Sequence, residues 1–377
     1  MISYIIRRLL FMLPTLVGIV TITFIIIQFV PGGPVDQMKS MLRGHTGTLT
    51  EAGGSAMSQQ GIKAQELDPR YLEELKKIYH LDLPLWERYL RTFLWYSPKN
   101  PDGPNDFFNR DNWEGFLLFK FGDSFYRNKS VLELIVEKLP VSASLGIISF
   151  FMTYIICILL GIAKAVKNGT PFDTSTSLLV LVGYSTPGFV LGIFLIVFLG
   201  PGEGAVMHLI PLANLTSAGT PGYEDWSFWQ KLTDYLHHLA APLVCFMIGS
   251  FATLTMLTKN AVIEEMHKQY VITARAKGLP EKTVLFKHIL KNALIPLVTG
   301  FPIGFLAMFF TGSLLIEQIF TLDGLGLLSY QAVIQRDYPI VLGTLFIFSL
   351  LALVGQLLTD ISYVIIDRRI TFEESQG

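Results

Sequence analysis

The sequence predicts an all-α integral membrane protein with six transmembrane helices and a large extracytoplasmic insert between helices 1 and 2. Three observations predict it. Hydrophobic residues make up 51% of the chain and charged residues only 16%, with a mean hydropathy of +0.48, which is too apolar and too weakly charged for a soluble domain of 377 residues. Charge-free windows run from Leu9 to Val35, Leu139 to Ala163, Thr174 to Pro201, Leu236 to Thr258, Asn292 to Ile316 and Tyr338 to Thr359. Each exceeds the roughly 20 residues that a helix needs to cross about 30 Å of hydrocarbon. Finally, the basic residues alternate between connections, as orientation in a bilayer requires.

The first window follows Arg7 and Arg8 and superficially resembles a signal peptide. Its apolar run is longer than such a segment, and no A-x-A cleavage site follows, so residues 1–30 are expected to remain as the N-terminus and first span. Residues 31–138 form the insert. Its first part, Gly44 to Gly61, is rich in Gly, Ser, Thr and Gln and reads as a mobile loop. Order is expected to resume at Asp68-Pro69, a helix start followed by Leu72, Leu75, Lys76 and Tyr79 at helical spacing. After Pro84 a second amphipathic stretch carries Leu85, Tyr89, Phe93 and Tyr96, and Trp86, Arg88 and Tyr89 on it are read as a docking surface for an extracytoplasmic partner.

Residues 139–377 form the transmembrane core, interrupted by a cytoplasmic loop at 259–291. Pro14, Pro140, Pro187, Pro242, Pro296 and Pro302 fall in or beside the spans and predict kinks. Ser142 with Gly146, Gly188 with Gly192, and Gly300 with Gly304 place small residues one turn apart, where helix backbones can approach closely. Around Pro187, Tyr184, Ser185 and Phe189 are read with Met256 and Met308 as pathway-lining positions, packing being the competing reading. With a cytoplasmic N-terminus, the inside segments hold Arg7, Arg8, Lys164, Lys167, Arg368, Arg369 and the basic run from Lys259 to Lys291, while the short outside loops hold Lys231 and Arg336. Both termini are therefore expected in the cytoplasm.

Several chemistries are excluded. The chain has no G-x-x-x-x-G-K-[ST] loop, H-E-x-x-H pair or G-x-S-x-G elbow, so it is not expected to hydrolyse ATP or act as an enzyme. Its two cysteines, Cys157 and Cys245, sit singly in apolar runs without metal-ligand spacing, and neither a cofactor nor a nucleic-acid partner is expected. The centres of the spans lack Asp, Glu, Lys and Arg, which weighs against an ion-coupled secondary transporter. A secondary transporter or channel nevertheless stands as the alternative, because sodium sites can be built from carbonyls and hydroxyls.

The fourth loop is distinctive. Glu264 to Gly278 reads EEMHKQYVITARAKG, with acids first, bases last and a glycine where a left-handed cap would end a helix. Leu279-Pro280-Glu281 then opens a second helix with Val284, Leu285, His288 and Ile289 along one side. One reading is a basic loop lying on anionic lipid. The other is a short helix whose Ala274, Ala276 and Gly278, flanked by Arg275 and Lys277, seat in a groove of another protein.

YVITARAKG, followed by KHILKNALIP, resembles the cytoplasmic signature of permease subunits of bacterial ABC importers for dipeptides and oligopeptides. The resemblance extends over nearly the whole chain, through the PGGP exit of the first span, LDLPLWERYL, FGDS, LLIEQIF, GLGLLSYQAV, RDYP and TDISYVIIDRRI. The long insert and TMLTKN look most similar to the branch that imports microcin C and related peptides. Ile272-Thr273-Ala274 stands where the family signature has Glu-Ala-Ala, so no role of that Glu is carried over. The resemblance implies a type I ABC importer permease in the bacterial inner membrane. It implies as partners a second homologous permease, two ATP-binding cassette ATPase subunits, an extracytoplasmic peptide-binding protein and membrane lipid. It also implies an ATPase-coupling surface on Tyr270, Thr273, Ala274, Arg275, Ala276, Lys277 and Gly278.

Overall fold

The computed structural model describes residues 2–29, 83–96, 113–127, 129–201, 210–211, 214–218, 220–310 and 314–366. The expected mobile loop and the helix start at Asp68 lie outside these residues. Among the described residues the protein is helical apart from one two-stranded antiparallel ribbon, β1 (Trp95–Tyr96) with β2 (Trp113–Glu114).

Among the described residues four helices are individually long and apolar enough to cross a membrane: α1 (Ile2–Phe29), α3 (Val131–Val166), α6 (Phe228–Met266) and α12 (Tyr338–Ile366), with α2 (Leu85–Phe93) lying between the first two in sequence. Two further spans exist only if bent pairs are counted, giving up to six. In the first pair, α4 (Pro171–Ser185) and α5 (Gly188–Leu199) meet at 97°. At 1.5 Å per residue their 15 and 12 residues reach about 22 and 18 Å, so neither crosses alone. The break is local chemistry: Pro187 lacks an N–H and disfavours helical backbone at the residue before it, and Thr186 is extended with φ −99° and ψ 115°. In the second pair, α8 (Glu281–Ala293) and α9 (Ile295–Phe310) bend by 49° immediately before Pro296. The expected fifth window therefore starts too early, because Asn292 belongs to α8 and the apolar helix begins at Ile295. Pro14, Pro140, Pro242 and Pro302 lie inside continuous helices. Three further short α-helices are described: α7 (Gln269–Ala276) between α6 and α8, then α10 (Leu314–Ile319) and α11 (Leu325–Gln335) before α12.

The chain divides into two compact units. The first comprises Met1–Leu10, Lys138–Leu328 and Leu350–Gly377. Its main core gathers Leu145, Leu239, Leu243, Cys245, Ile316 and Phe320. The close approach of α5 to α6 depends on Gly188, where a Cβ would lie 2.4 Å from the Cys245 backbone oxygen. Phe150, Tyr154, Phe301 and Phe305 interlock nearby, with Phe150 and Phe301 centroids 4.9 Å apart, and a Cβ at Gly304 would touch Phe150 at 3.3 Å. Gly300 meets nothing within 4 Å, so that position is not a contact within the chain.

The second unit comprises Phe11–Glu137 and Ser329–Ser349. Phe116, Phe121 and Phe346 form its aromatic centre, and Gly343 lies where a Cβ would crowd Val131 and Phe121. Tyr89 fixes α2 to α1: its ring packs edge-on against Phe24, and its hydroxyl is 2.6 Å from Thr21 Oγ1. Across the described spans, large apolar side chains such as Leu178, Leu179, Leu181, Val182 and Phe194 are exposed. In water such a surface would be an aggregation hazard; against lipid it is solvated.

Candidate functional site

The loop between α6 and α9 is a small packed structure of its own. Helix α6 stops at Met266, and the His267 N–H turns back to the Glu264 and Glu265 carbonyls. After one extended residue, Lys268, helix α7 runs for two turns and ends on Gly278, whose φ of +77° and N–H bond to Arg275 O at 2.9 Å make the left-handed cap its sequence position predicts. Pro280 opens α8, which winds as a π-turn over Val284–Ile289. Arg275 and Glu281 tie the two short helices across the turn, at 2.9 and 3.3 Å.

Their inner sides share one core, formed by Val262, Val271, Ala274, Val284, Ile289, Leu290 and Ala293 with Ala165. Tyr270 is held half-buried beneath the loop by hydrogen bonds with the Glu265 carboxylate, Asn292 Nδ2 and the His288 carbonyl. Burial first, and then the Glu265 carboxylate, raise its phenol above the ordinary tyrosine range.

This arrangement corrects one part of the expected surface. Ala274 and Ala276 are two residues apart, hence about 200° around a helix, and cannot share a face. Ala274 is only 5% exposed and packs inward. The outward surface is instead Thr273, Arg275, Ala276, Lys277 and Gly278, bordered by three apolar residues that sequence reasoning did not single out: Ile272, Leu279 and Phe286, the last 66% exposed.

The other expected groups are not brought into one site. Tyr184 is exposed at the end of α4, while the Ser185 hydroxyl donates back to the Leu181 carbonyl at 3.0 Å. Phe189 packs against the main core, Met256 is half-buried on α6, and the Met308 side chain lies outside the described ones. On α2, Trp86 is 60% exposed, but Tyr89 is committed to α1. Arg88 is half-buried and faces a cavity of about 700 Å³ lined also by Gln28, Glu114 and Lys120; burial lowers its guanidinium pKa.

Sequence reasoning missed the buried acids. Glu317 is fully buried, with its carboxylate accepting from the Leu327 N–H at 2.7 Å and from Ser142 Oγ at 3.4 Å; a Cβ on Gly324 would lie 2.7 Å from both carboxylate and hydroxyl. Asp337, also fully buried, accepts from Ser124 Oγ at 2.5 Å and from the Phe125 N–H at 3.3 Å. Desolvation pushes both carboxyls above their usual range. The motifs LLIEQIF, GLGLLSYQAV, FGDS and RDYP thus hold fasteners of the fold, and the available signal was a lone acid at the edge of an apolar window. Among the described residues no group of three or more His, Cys, Asp and Glu could hold a metal ion.

Comparison with known proteins matches residues 157–372 to the family described as binding-protein-dependent transport system inner membrane component. The chain is 46% identical over 383 residues to the peptidoglycan transport system permease protein YejB of Agrobacterium fabrum, covering 98% of each chain. It is 44% identical to the inner membrane ABC transporter permease protein YejB of Escherichia coli O157:H7, over 98% of this chain and 99% of that one. It is 31% identical to the oligopeptide transport system permease protein AppB of Bacillus subtilis, over 99% of this chain and 100% of that one. The chain therefore belongs to the family of binding-protein-dependent transport system inner membrane components: it is the multi-pass inner-membrane permease component of an ABC importer, working with separate subunits that hydrolyse ATP.

Proposed function

We propose that this permease carries peptides or peptide-like compounds inward as one half of a pathway completed by a second homologous permease. Two ATPase subunits serve the pair, one of them seated on the α7–α8 loop, and an extracytoplasmic peptide-binding protein docks over the insert at 31–138. The observation that carries this reading is the two-sided loop. Its inner side is locked to α6 through Val262, Val271 and Ala274, while its outer side presents a capped turn at Gly278 with exposed Ile272, Leu279 and Phe286. Exposed apolar residues among Arg275 and Lys277 suit a protein groove. Peptide cargo is supported by the names of the relatives, which include oligopeptide and dipeptide permeases.

In this mechanism, ATP binding closes the two ATPases and the loop moves with them as a rigid body. The motion re-angles the bent spans and alternates access between the two faces. The chain supplies geometry and no covalent chemistry. Six spans, with both termini and residues 259–291 inside and the insert and residues 202–235 outside, complete the topology. The test of the whole reading is ATP-dependent uptake of a labelled peptide by vesicles holding the full complex; uptake that persists without ATPase subunits would favour a secondary transporter.

Topology is checked by cysteine labelling in intact cells. A cysteine at exposed Thr220 is expected to react with a membrane-impermeant reagent, and one at exposed Gln269 only after lysis; the native Cys157 and Cys245 are buried. The reverse pattern would invert the orientation. On the insert, Trp86→Ala is expected to weaken binding-protein docking several-fold with little effect on stability, since surface truncations usually lie within about 0.5 kcal/mol. Tyr89→Phe should instead cost about 1 kcal/mol of stability through its lost bond to Thr21 and leave docking intact. Equal docking affinities of wild type and Trp86→Ala would remove Trp86 from the surface.

A further inference from the structure

Three charged side chains converge where α3, α4 and α6 approach the short-helix loop. Lys164, on the last turns of α3, is fully buried, and its Nζ lies 2.8 Å from the Asp173 carbonyl, 2.9 Å from Thr176 Oγ1, 2.7 Å from Ser177 Oγ and 3.1 Å from Asp173 Oδ1. Lys259, on α6, places its Nζ 2.8 and 2.7 Å from the two oxygens of the same carboxylate. Asp173, in the first turn of α4, is 6% exposed and also accepts from the Gly169 N–H at 3.1 Å. Gly161 allows the convergence: a Cβ there would lie 2.5 Å from Thr258 Cβ and 2.8 Å from the Thr255 carbonyl, so α3 and α6 approach more closely than any side chain would allow.

Stability alone is a poor reason for this cluster, because apolar packing commonly serves a buried site as well as an ion pair does. The second lysine, half-buried, adds less still, since it leaves the cluster with one surplus positive charge. What the cluster does supply is fixed geometry between two elements. On one side, Ala165 next to Lys164 and Val262 one turn after Lys259 belong to the core on which α7 and α8 sit. On the other side, α4 runs from Asp173 to the 97° bend at Thr186-Pro187.

We infer that Lys164, Asp173 and Lys259 are positioning residues that transmit displacement of the α7–α8 loop to α4 and its bend, with Lys259 as the link from α6. This rests on reading the loop as the ATPase-coupling surface. Lys164→Met would remove the buried donor to Ser177 Oγ, Thr176 Oγ1 and the Asp173 carbonyl, and Asp173→Asn would leave the Lys164 and Lys259 ammonium groups without a counter-charge; both variants attack folding. Lys259→Met is the clean test, because the neutral Lys164–Asp173 pair survives it.

The experiment reconstitutes the complete complex in vesicles with peptide-loaded binding protein and measures subunit stoichiometry, ATP hydrolysis and peptide uptake. In Lys259→Met, stoichiometry and stimulated hydrolysis are expected to stay near wild type while peptide taken up per ATP falls about tenfold, the size of an ordinary coupling free energy. Lys259→Arg, which keeps the charge and two-point contact with the carboxylate, should restore the ratio. An unchanged uptake-to-ATP ratio, or loss of assembly in Lys259→Met, would overturn the inference and reduce the cluster to a structural fastener. The two readings fail separately: a wild-type complex that holds no ATPase sinks the coupling surface and this inference with it, whereas bound and stimulated ATPases with an unchanged ratio sink the inference alone.

Discussion

Replacing Gly278 with valine is expected to abolish ATP-driven transport while leaving the permease inserted and paired. Gly278 has φ +77°, which costs a residue with a Cβ roughly 1 kcal/mol and a β-branched one more. A Cβ there would meet nothing within 4 Å inside the chain, so the strain is confined to one exposed turn and the shared core under Val271 and Val284 stays intact. The added side chain would project from the outer surface beside Ala276 and Leu279, where the ATPase is proposed to seat. A contact between well-packed surfaces tolerates neither a displaced turn nor an inserted isopropyl group. Purified complex carrying Gly278→Val should show normal permease pairing with ATPase retention or stimulated hydrolysis reduced at least about tenfold, a loss of 1.4 kcal/mol or more. Gly278→Asn separates the two causes, because Asn tolerates positive φ: recovery would assign the defect to backbone strain, and continued loss to the side chain. Full stimulation and uptake in the valine variant would mean that the loop is a basic lipid-facing segment, and the coupling assignment would fall.

The second large effect is expected at Gly188, and it falls on stability. A Cβ at this position would lie 2.4 Å from the Cys245 backbone oxygen, a distance no Cβ adopts, and the obstacle is main chain of α6. A flexible side chain could swing aside; a carbonyl inside a continuous helix cannot move without taking the helix with it. Gly188→Val must therefore separate α5 from α6 and open the core of Leu239, Leu243, Cys245 and Ile316, at a cost of about 3 kcal/mol or more. The expected result is a lowered thermal unfolding midpoint in detergent and reduced yield of inserted protein. Gly249→Val serves as the control, since the same change in α6 meets nothing within 4 Å. Equal midpoints for the two variants would show that the close approach at Gly188 is not required.

By itself the sequence determined the class, four of the spans and the loop. Charge-free windows follow from the free energy of placing charges in hydrocarbon, a property of each segment irrespective of its neighbours, and α1, α3, α6 and α12 lie where the windows place them. The cap at Gly278 and the start at Pro280 are equally local, because backbone preference over three or four residues decides them. Tertiary structure decided the rest. A proline in a span announces a possible kink but not its size, and Pro14, Pro140, Pro242 and Pro302 sit inside continuous helices while Pro187 marks a 97° break. At the break the preceding Thr186 is extended, whereas Leu13, Leu139, Ala241 and Phe301 before the other four prolines remain helical. Ala274 looked like part of a thin docking face until helical phase and the core of Val262 and Val284 turned it inward. Lys164, Lys259, Asp173, Glu317 and Asp337 looked like the ends of apolar windows. The partners that tie them to other elements lie nine or more positions away along the chain, and as many as 213 for Ser124 and Asp337, so only folding could show how far each charge is withdrawn from water and what it holds.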